Sequence, residues 1–200
     1  FEIRDLNALP MRDATGPFRV ISIGRLIGWK GFHLGIAAFA ELLKTHPDSE
    51  YWIVGDGEER AKLEALAQEL GVSAKVTFFG LLPRAQALEK LAQSDVMLHP
   101  SLHDSGGWVC LEAMAAGRPV VCLNLGGPGV QITDETGIRV PADNPQQSIR
   151  DLGEALKTLA SDFALRQRMA QAGKQRIWDE FNWNDKGTRV SEIYRAVTRV

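Results

Sequence analysis

The sequence predicts an α/β fold: a parallel sheet with helices on both of its faces. Three observations carry this. Short apolar runs alternate with segments of helical periodicity along most of the 200 residues. The runs are nearly unbroken in their apolar character, as strands covered on both faces require. Glycine closes or follows several of them, where the chain must turn from strand into loop.

Residues 1–17 have no clear period, contain Pro10, Gly16 and Pro17, and read as a linker into a domain over 18–200. The run 18–24 (FRVISIG) is the first strand. A helix follows over 32–45, with Leu34, Ala37, Ala38 and Leu42 at helical spacing. The second strand is 51–55 (YWIVG), and the second helix is 58–70, with an acidic first turn and Gly71 as its stop. The strand 75–80 (KVTFFG), the helix 84–93 and the strand 96–99, ended by Pro100, come next. A helix over 109–116 is closed by Gly117, and strands follow at 119–123 (PVVCL) and 137–140. Beyond Pro145 the pattern is helical throughout: 145–161, 163–181 and 184–200. The last segment carries an apolar stripe of Val190, Ile193, Tyr194 and Val197 that needs a surface to cover.

Composition narrows the partners. The chain is 44% hydrophobic and 24% charged with a net charge of −2, an ordinary globular balance without the basic excess of a nucleic-acid binder. Residues 163–200 nevertheless hold eight Lys or Arg against four Asp or Glu. That excess reads either as a solvated helix face or as an interdomain or lipid-facing surface, the second consistent with peripheral membrane association. Cys110 and Cys122 lack metal-ligand spacing and fit a reduced, cytoplasmic chain. There is no run of about 18 apolar residues to span a membrane, and no signal-peptide pattern. The chain begins at Phe1 rather than Met, which fits a piece of something longer.

Parallel sheets bind ligands beyond the carboxyl ends of their strands. Gly24-Arg25, Gly55-Asp56-Gly57, Gly80-Leu81-Leu82 and the loop 101–108 all lie there and can converge on one crevice. Arg25 and Lys30 form a cationic pair in a glycine-punctuated loop, suited to a diphosphate or else ordinary surface cations. Gly106 and Gly107 let the backbone approach a ligand, with the amides of Trp108 and Val109 at a helix N-terminus; a flexible connection is the plainer alternative. Glu112 can accept both hydroxyls of a ribose, or simply favour its own helix as an acid in the first turn. Asp104 lies eight residues before it. Gly126-Gly127-Pro128-Gly129 either walls the pocket or is a turn. A dinucleotide fingerprint at Gly55-Asp56-Gly57 fails, because its third glycine position is Arg60. The histidines (His33, His46, His99, His103) show no metal spacing, and no D-x-D triplet occurs, so no metal is expected.

The Gly24-Arg25-Leu26…Lys30-Gly31 loop, the D-x7-E segment into Glu112-Ala113-Met114-Ala115-Ala116-Gly117-Arg118-Pro119, and the terminal Phe181-Asn182-Trp183…Tyr194 together resemble glycosyltransferase family 4. Those are retaining enzymes of the GT-B fold. The resemblance implies one Rossmann-like half of such a fold, with extra C-terminal helices. It also implies a missing N-terminal domain that binds the acceptor, a glycan or lipid-linked sugar in polysaccharide assembly. It assigns Gly24, Arg25 and Lys30 to the donor diphosphate and Glu112 to the ribose. The backbone of Leu82 goes to the base, and Gly106, Gly107, Trp108 and Val109 to the sugar and phosphates. Asp104 goes to the sugar hydroxyls, where the family usually has Glu; the family's G-F-G is Ser105-Gly106-Gly107 here.

The expected chemistry is transfer of a hexose from a nucleoside diphosphate to a hydroxyl, with retention and without a metal. Arg25, Lys30, Asp104 and Glu112 would act at the reacting end. UDP-glucose is the expected donor from its frequency in the family. Two alternatives stand beside it: a donor-binding module inactive by itself, and a nucleotide-sugar epimerase of the same architecture.

Overall fold

The computed structural model describes residues 6, 9–13, 15–181 and 183–198, with the side chains of 183–185 left aside. Six strands and eight helices alternate among them: β1 (Arg19–Ile23), α1 (Phe32–Leu43), β2 (Glu50–Val54), α2 (Arg60–Glu69), β3 (Val76–Gly80), α3 (Arg84–Ala92), β4 (Val96–His99), α4 (Trp108–Ala115), β5 (Val120–Leu123), α5 (Gly126–Gln131), β6 (Gly137–Val140), α6 (Pro145–Ser161), α7 (Phe163–Glu180) and α8 (Trp183–Thr198). The strands form one parallel sheet in the order β3-β2-β1-β4-β5-β6. The expected α/β architecture is therefore the observed one. The order reverses between β1 and β4, so a crevice opens beyond their carboxyl ends.

Successive strand residues feed opposite faces, as the period of two demands. Val20, Ile53, Leu98 and Val121 pack with Phe39, Leu42, Leu156 and Leu159 of α1 and α6. Ile21, Val54, Met97 and Cys122 pack with Leu91, Met114 and Ile177 of α3, α4 and α7. Each face thus has its own core, and the sheet lies between two helical layers. Leu6 is buried in the second of these cores, Leu9 packs against it, and Arg12 pairs with Asp95 at 2.9 Å. Those described residues of the expected linker lie against the domain; residues 1–5, 7, 8 and 14 of that segment fall outside the description.

Local chemistry sets the helix boundaries. Asn144 Oδ1 accepts from Gln147 N at 2.9 Å with Pro145 at the first helical position of α6, and Asp162 Oδ1 accepts from Leu165 N at 2.8 Å to start α7. The helix expected from 58 starts at Arg60, so Glu58 and Glu59 precede it. The reason is tertiary: Leu26 N donates to Asp56 O (2.9 Å) and Glu59 N to Leu26 O (3.0 Å), which ties this stretch to the β1 loop. The segment 126–131 is a short helix, unexpected from its glycines. Of the terminal motif, Asn182 and the Trp183 side chain lie outside the description, while Tyr194 is exposed on α8.

Gly31 has φ +66°, and a Cβ there would stand 2.0 Å from the Pro100 carbonyl oxygen. Left-handed backbone costs an L-residue roughly 1–2 kcal/mol, and a clash with main chain adds about 1–3 kcal/mol. Gly31→Ala is expected to lower the melting temperature by roughly 4–20 °C, for a total of about 2–5 kcal/mol at about 2–4 °C per kcal/mol for a domain of this size. A scanning-calorimetry trace matching the wild type would show that the β1 loop and Pro100 can separate freely.

Candidate functional site

The crevice between β1 and β4 is built from two loops. The first leaves β1 at Gly24, whose N–H donates to Val54 O at 3.0 Å. Gly55 and Gly57 let β2's exit lie directly against it: a Cβ at Gly55 would be 1.9 Å from Gly24 O, and one at Gly57 would be 2.4 Å from Leu26 O. The Gly55-Asp56-Gly57 glycines therefore serve backbone packing. The loop then makes a 3₁₀ turn over Gly28–Lys30, and Gly31 hands it to α1.

The second loop leaves β4 at His99 and ends at Gly107, the left-handed N-cap of α4. It is braced from behind by α5. Gly127 N donates to Asp104 O at 2.9 Å, and Gln131 Nε2 donates to Gly106 O at 2.6 Å. A Cβ at Gly126 would lie 2.4 Å from Asp104 O, and one at Gly107 would lie 2.6 Å from Gln131 Oε1. The 126–129 glycines thus form a wall behind this loop.

One side chain from each loop closes the gap. Lys30 Nζ donates to Asp104 Oδ2 at 2.5 Å across 74 residues of sequence. The same oxygen lies 3.1 Å from His99 Nε2, and Oδ1 accepts from Gly107 N at 2.9 Å. The His99 hydrogen bond, then Lys30 and the Gly107 amide, hold the Asp104 carboxyl well below the usual carboxylate range despite its partial burial. Asp104 is therefore ionised and acceptor-only, so His99 Nε2 carries the hydrogen.

Arg25 is exposed at the mouth of the first loop, with no hydrogen bond or ion pair from its guanidinium among the described residues. Glu112 lies in the second turn of α4 and accepts from Arg84 Nη1 of α3 at 2.7 Å. The first intrahelical bond of α4 is Cys110 N to Gly107 O (2.9 Å), so the amides of Trp108 and Val109 precede it at the positive end of the helix. α4 begins one residue earlier than expected, at Trp108, which is 57% exposed. Leu82 follows β3 along the same sheet edge, half-buried against the α3 and α4 face. The structure thus brings Lys30 and Asp104 into direct contact and puts Gly24, Arg25, Leu82, Gly106, Gly107, Trp108, Val109 and Glu112 on the same edge of the sheet.

Two participants of the site, and one buried arginine away from it at the carboxyl ends of α3 and α4, escaped the sequence. His99 reads as the end of an apolar strand, and Arg84 lies 28 residues from its partner Glu112. Arg118 is buried, with burial pulling its guanidinium down to about 10. The His99–Asp104 spacing of five was the one local signal available. Cys110 and Cys122 are buried, and burial pushes the Cys122 thiol up to about 12, which leaves both unreactive. Among the described residues no group of three His, Cys, Asp or Glu is placed to hold a metal ion, and no helix is long and apolar enough to cross a membrane.

A family model described as glycosyl transferases group 1 matches residues 11–176. The glycogen synthase of Mycobacterium tuberculosis is 35% identical over 190 residues, which is 94% of this chain and 45% of that protein. The D-inositol 3-phosphate glycosyltransferase of Corynebacterium urealyticum is 33% identical over 183 residues, 88% of this chain and 42% of the other. Among solved structures, Anabaena HepE in complex with UDP and glucose superposes with a TM-score of 0.78 at 25% identity, covering 92% of this chain and 49% of that one. The C-terminal domain of the Francisella tularensis group 1 glycosyl transferase LpcC gives 0.74 at 25% identity, covering 84% and 87%. The chain spans about half the length of the curated relatives it matches.

Proposed function

The chain belongs to the group 1 glycosyl transferases, and on that premise we propose that it is the donor-binding half of a retaining hexosyltransferase that uses a nucleoside-diphosphate sugar. The observation that carries the reading is the Lys30–Asp104 contact of 2.5 Å, because it joins the cationic loop after β1 to the glycine-rich loop that starts α4. A diphosphate at that junction would meet Arg25, Lys30 and the α4 N-terminus together. Lys30 has three donors and uses one on Asp104, so two remain for phosphate oxygens. Glu112 would take the ribose hydroxyls, and the backbone at Leu82 the base. Asp104 accepts three hydrogen bonds from the protein, which leaves room on its four lone-pair sites for one sugar hydroxyl.

Breaking the glycosidic bond puts negative charge on the distal phosphate of the leaving nucleoside diphosphate. Fixed cations and helix-terminal amides aimed at that charge lower the barrier without reorganising. They would do so here in place of a divalent ion. The acceptor would come from a second domain, so these 200 residues by themselves would bind donor with little transfer. The glucose and UDP of HepE and the family's preference make UDP-glucose the first donor to try.

Titration calorimetry of the chain with UDP-glucose is expected to give saturable one-to-one binding. Glu112→Ala should weaken it about tenfold or more, since hydrogen bonds to a charged group are worth about 1.5–3 kcal/mol. Absence of heat with UDP-, GDP- and ADP-sugars alike would overturn the donor-binding reading.

A further inference from the structure

The Asp104 carboxylate depends on a residue from the rigid part of the fold. His99 is the last residue of β4, is 6% exposed, and sits in the sheet rather than in a loop. Its Nε2–H reaches Asp104 Oδ2 at 3.1 Å, the same oxygen that holds Lys30 Nζ (2.5 Å), while Oδ1 accepts from the Gly107 amide (2.9 Å). Asp104 is therefore the hub through which a strand residue sets the position of both a cation and the first residues of α4. Aspartate is one methylene shorter than glutamate, so a carboxylate at 104 stays close to the main chain of its loop. There the strand-borne imidazole can grip it.

We propose that His99 is a positioning residue for the diphosphate site: it anchors Asp104, and through Asp104 it holds Lys30 and the Gly107 turn in register for a nucleoside diphosphate. This rests on the donor-binding reading above. Without the imidazole donor, one lone pair of a partly buried carboxylate loses its partner. Asp104 is then free to rotate towards Lys30 or towards water, and the Gly107 amide loses its fixed acceptor. The loss should be felt in ligand affinity more than in folding, since His99 forms no other side-chain hydrogen bond or ion pair among the described residues.

The test is a set of UDP titrations on the chain, with a thermal melt of each variant as a check on folding. His99→Leu, which keeps bulk but removes the donor, is expected to weaken UDP binding about 10-fold or more, the scale of one charge-assisted hydrogen bond. His99→Gln can present an amide N–H near the Nε2 position and should restore affinity to within about threefold of wild type. In an Asp104→Ala background, which leaves no acceptor for the imidazole, His99→Leu should change affinity less than about twofold, because the coupling partner is gone. If His99→Leu melts too low to titrate, His99→Phe serves as the donorless variant. Equal UDP affinity in wild type and the donorless variant would overturn the proposal, as would additive losses at 99 and 104 or failure of Gln to rescue. A wild-type chain that binds no UDP would instead remove the diphosphate reading itself, and this inference with it.

Discussion

Arg25→Ala is expected to lower turnover about 10²–10³-fold in a two-domain enzyme carrying this chain, the loss seen when one preorganised transition-state donor is removed. The structure sharpens the reason. Lys30 is already compensated by Asp104, and Glu112 is held by Arg84. Arg25 is the candidate cation with no ion pair among the described residues, so no carboxylate in contact with it offsets its charge. At about 4 Å and an effective dielectric near 20, one such charge pair is worth roughly 4 kcal/mol before desolvation. On the proposed mechanism charge grows on the distal phosphate as the bond breaks, so the loss should fall on kcat more than on KM for the donor. Arg25→Lys keeps the charge but not the planar fork, and should recover only part of the rate. Wild-type turnover in Arg25→Ala would take Arg25 out of the mechanism.

The largest effect on stability is expected at Arg118. Its side chain is 1% exposed and lies where the carboxyl ends of α3 and α4 meet the stretch entering the domain. Nε donates to Leu91 O at 3.1 Å and Nη1 to Ala116 O at 2.6 Å. Both terminal nitrogens donate to Pro10 O at 3.1 Å, and Nη2 also bonds the Ala92 carbonyl. The guanidinium thus satisfies the last carbonyls of two helices and complements their negative dipole ends. Arg118→Leu fills the volume and leaves those carbonyls without a donor, at about 1–3 kcal/mol for each one that water does not reach. A total near 3–5 kcal/mol is expected, matching the loss of one partner from a buried charged network. Calorimetric melting should fall by roughly 10 °C at about 2–4 °C per kcal/mol. A shift under about 2 °C would mean that water replaces the guanidinium at both helix ends.

The alternation of strands and helices was readable because it rests on local rules. Val20, Ile21 and Ser22 sit in a run that can only be a short buried strand, and Leu34, Ala38 and Leu42 recur at helical spacing. The glycine-marked loops after β1 and β4 were readable for the same reason, since a turn out of a strand leaves a local signature. The short helix at Gly126–Gln131 was not: its glycines are there for the close approach of Asp104 and Ser105 main chain, and in isolation they argue against helix. Glu58 and Glu59 misled in the opposite sense, because an acidic first turn is a good local signal that the bonds to Leu26 override.

The sequence by itself determined the sheet-and-helix layering, the loops at the carboxyl edge and the residue types they carry. All of these follow from periodicity, chirality and turn chemistry within a few residues. Only the tertiary structure decided what those residues hold: Lys30 and His99 on Asp104, Arg84 on Glu112, Arg118 on two helix ends. The physical reason is the β1–β4 crossover, which makes neighbours of strands more than 70 residues apart. A hydrogen bond falls away within an ångström of its ideal length, and no one-dimensional pattern encodes a distance across such a fold.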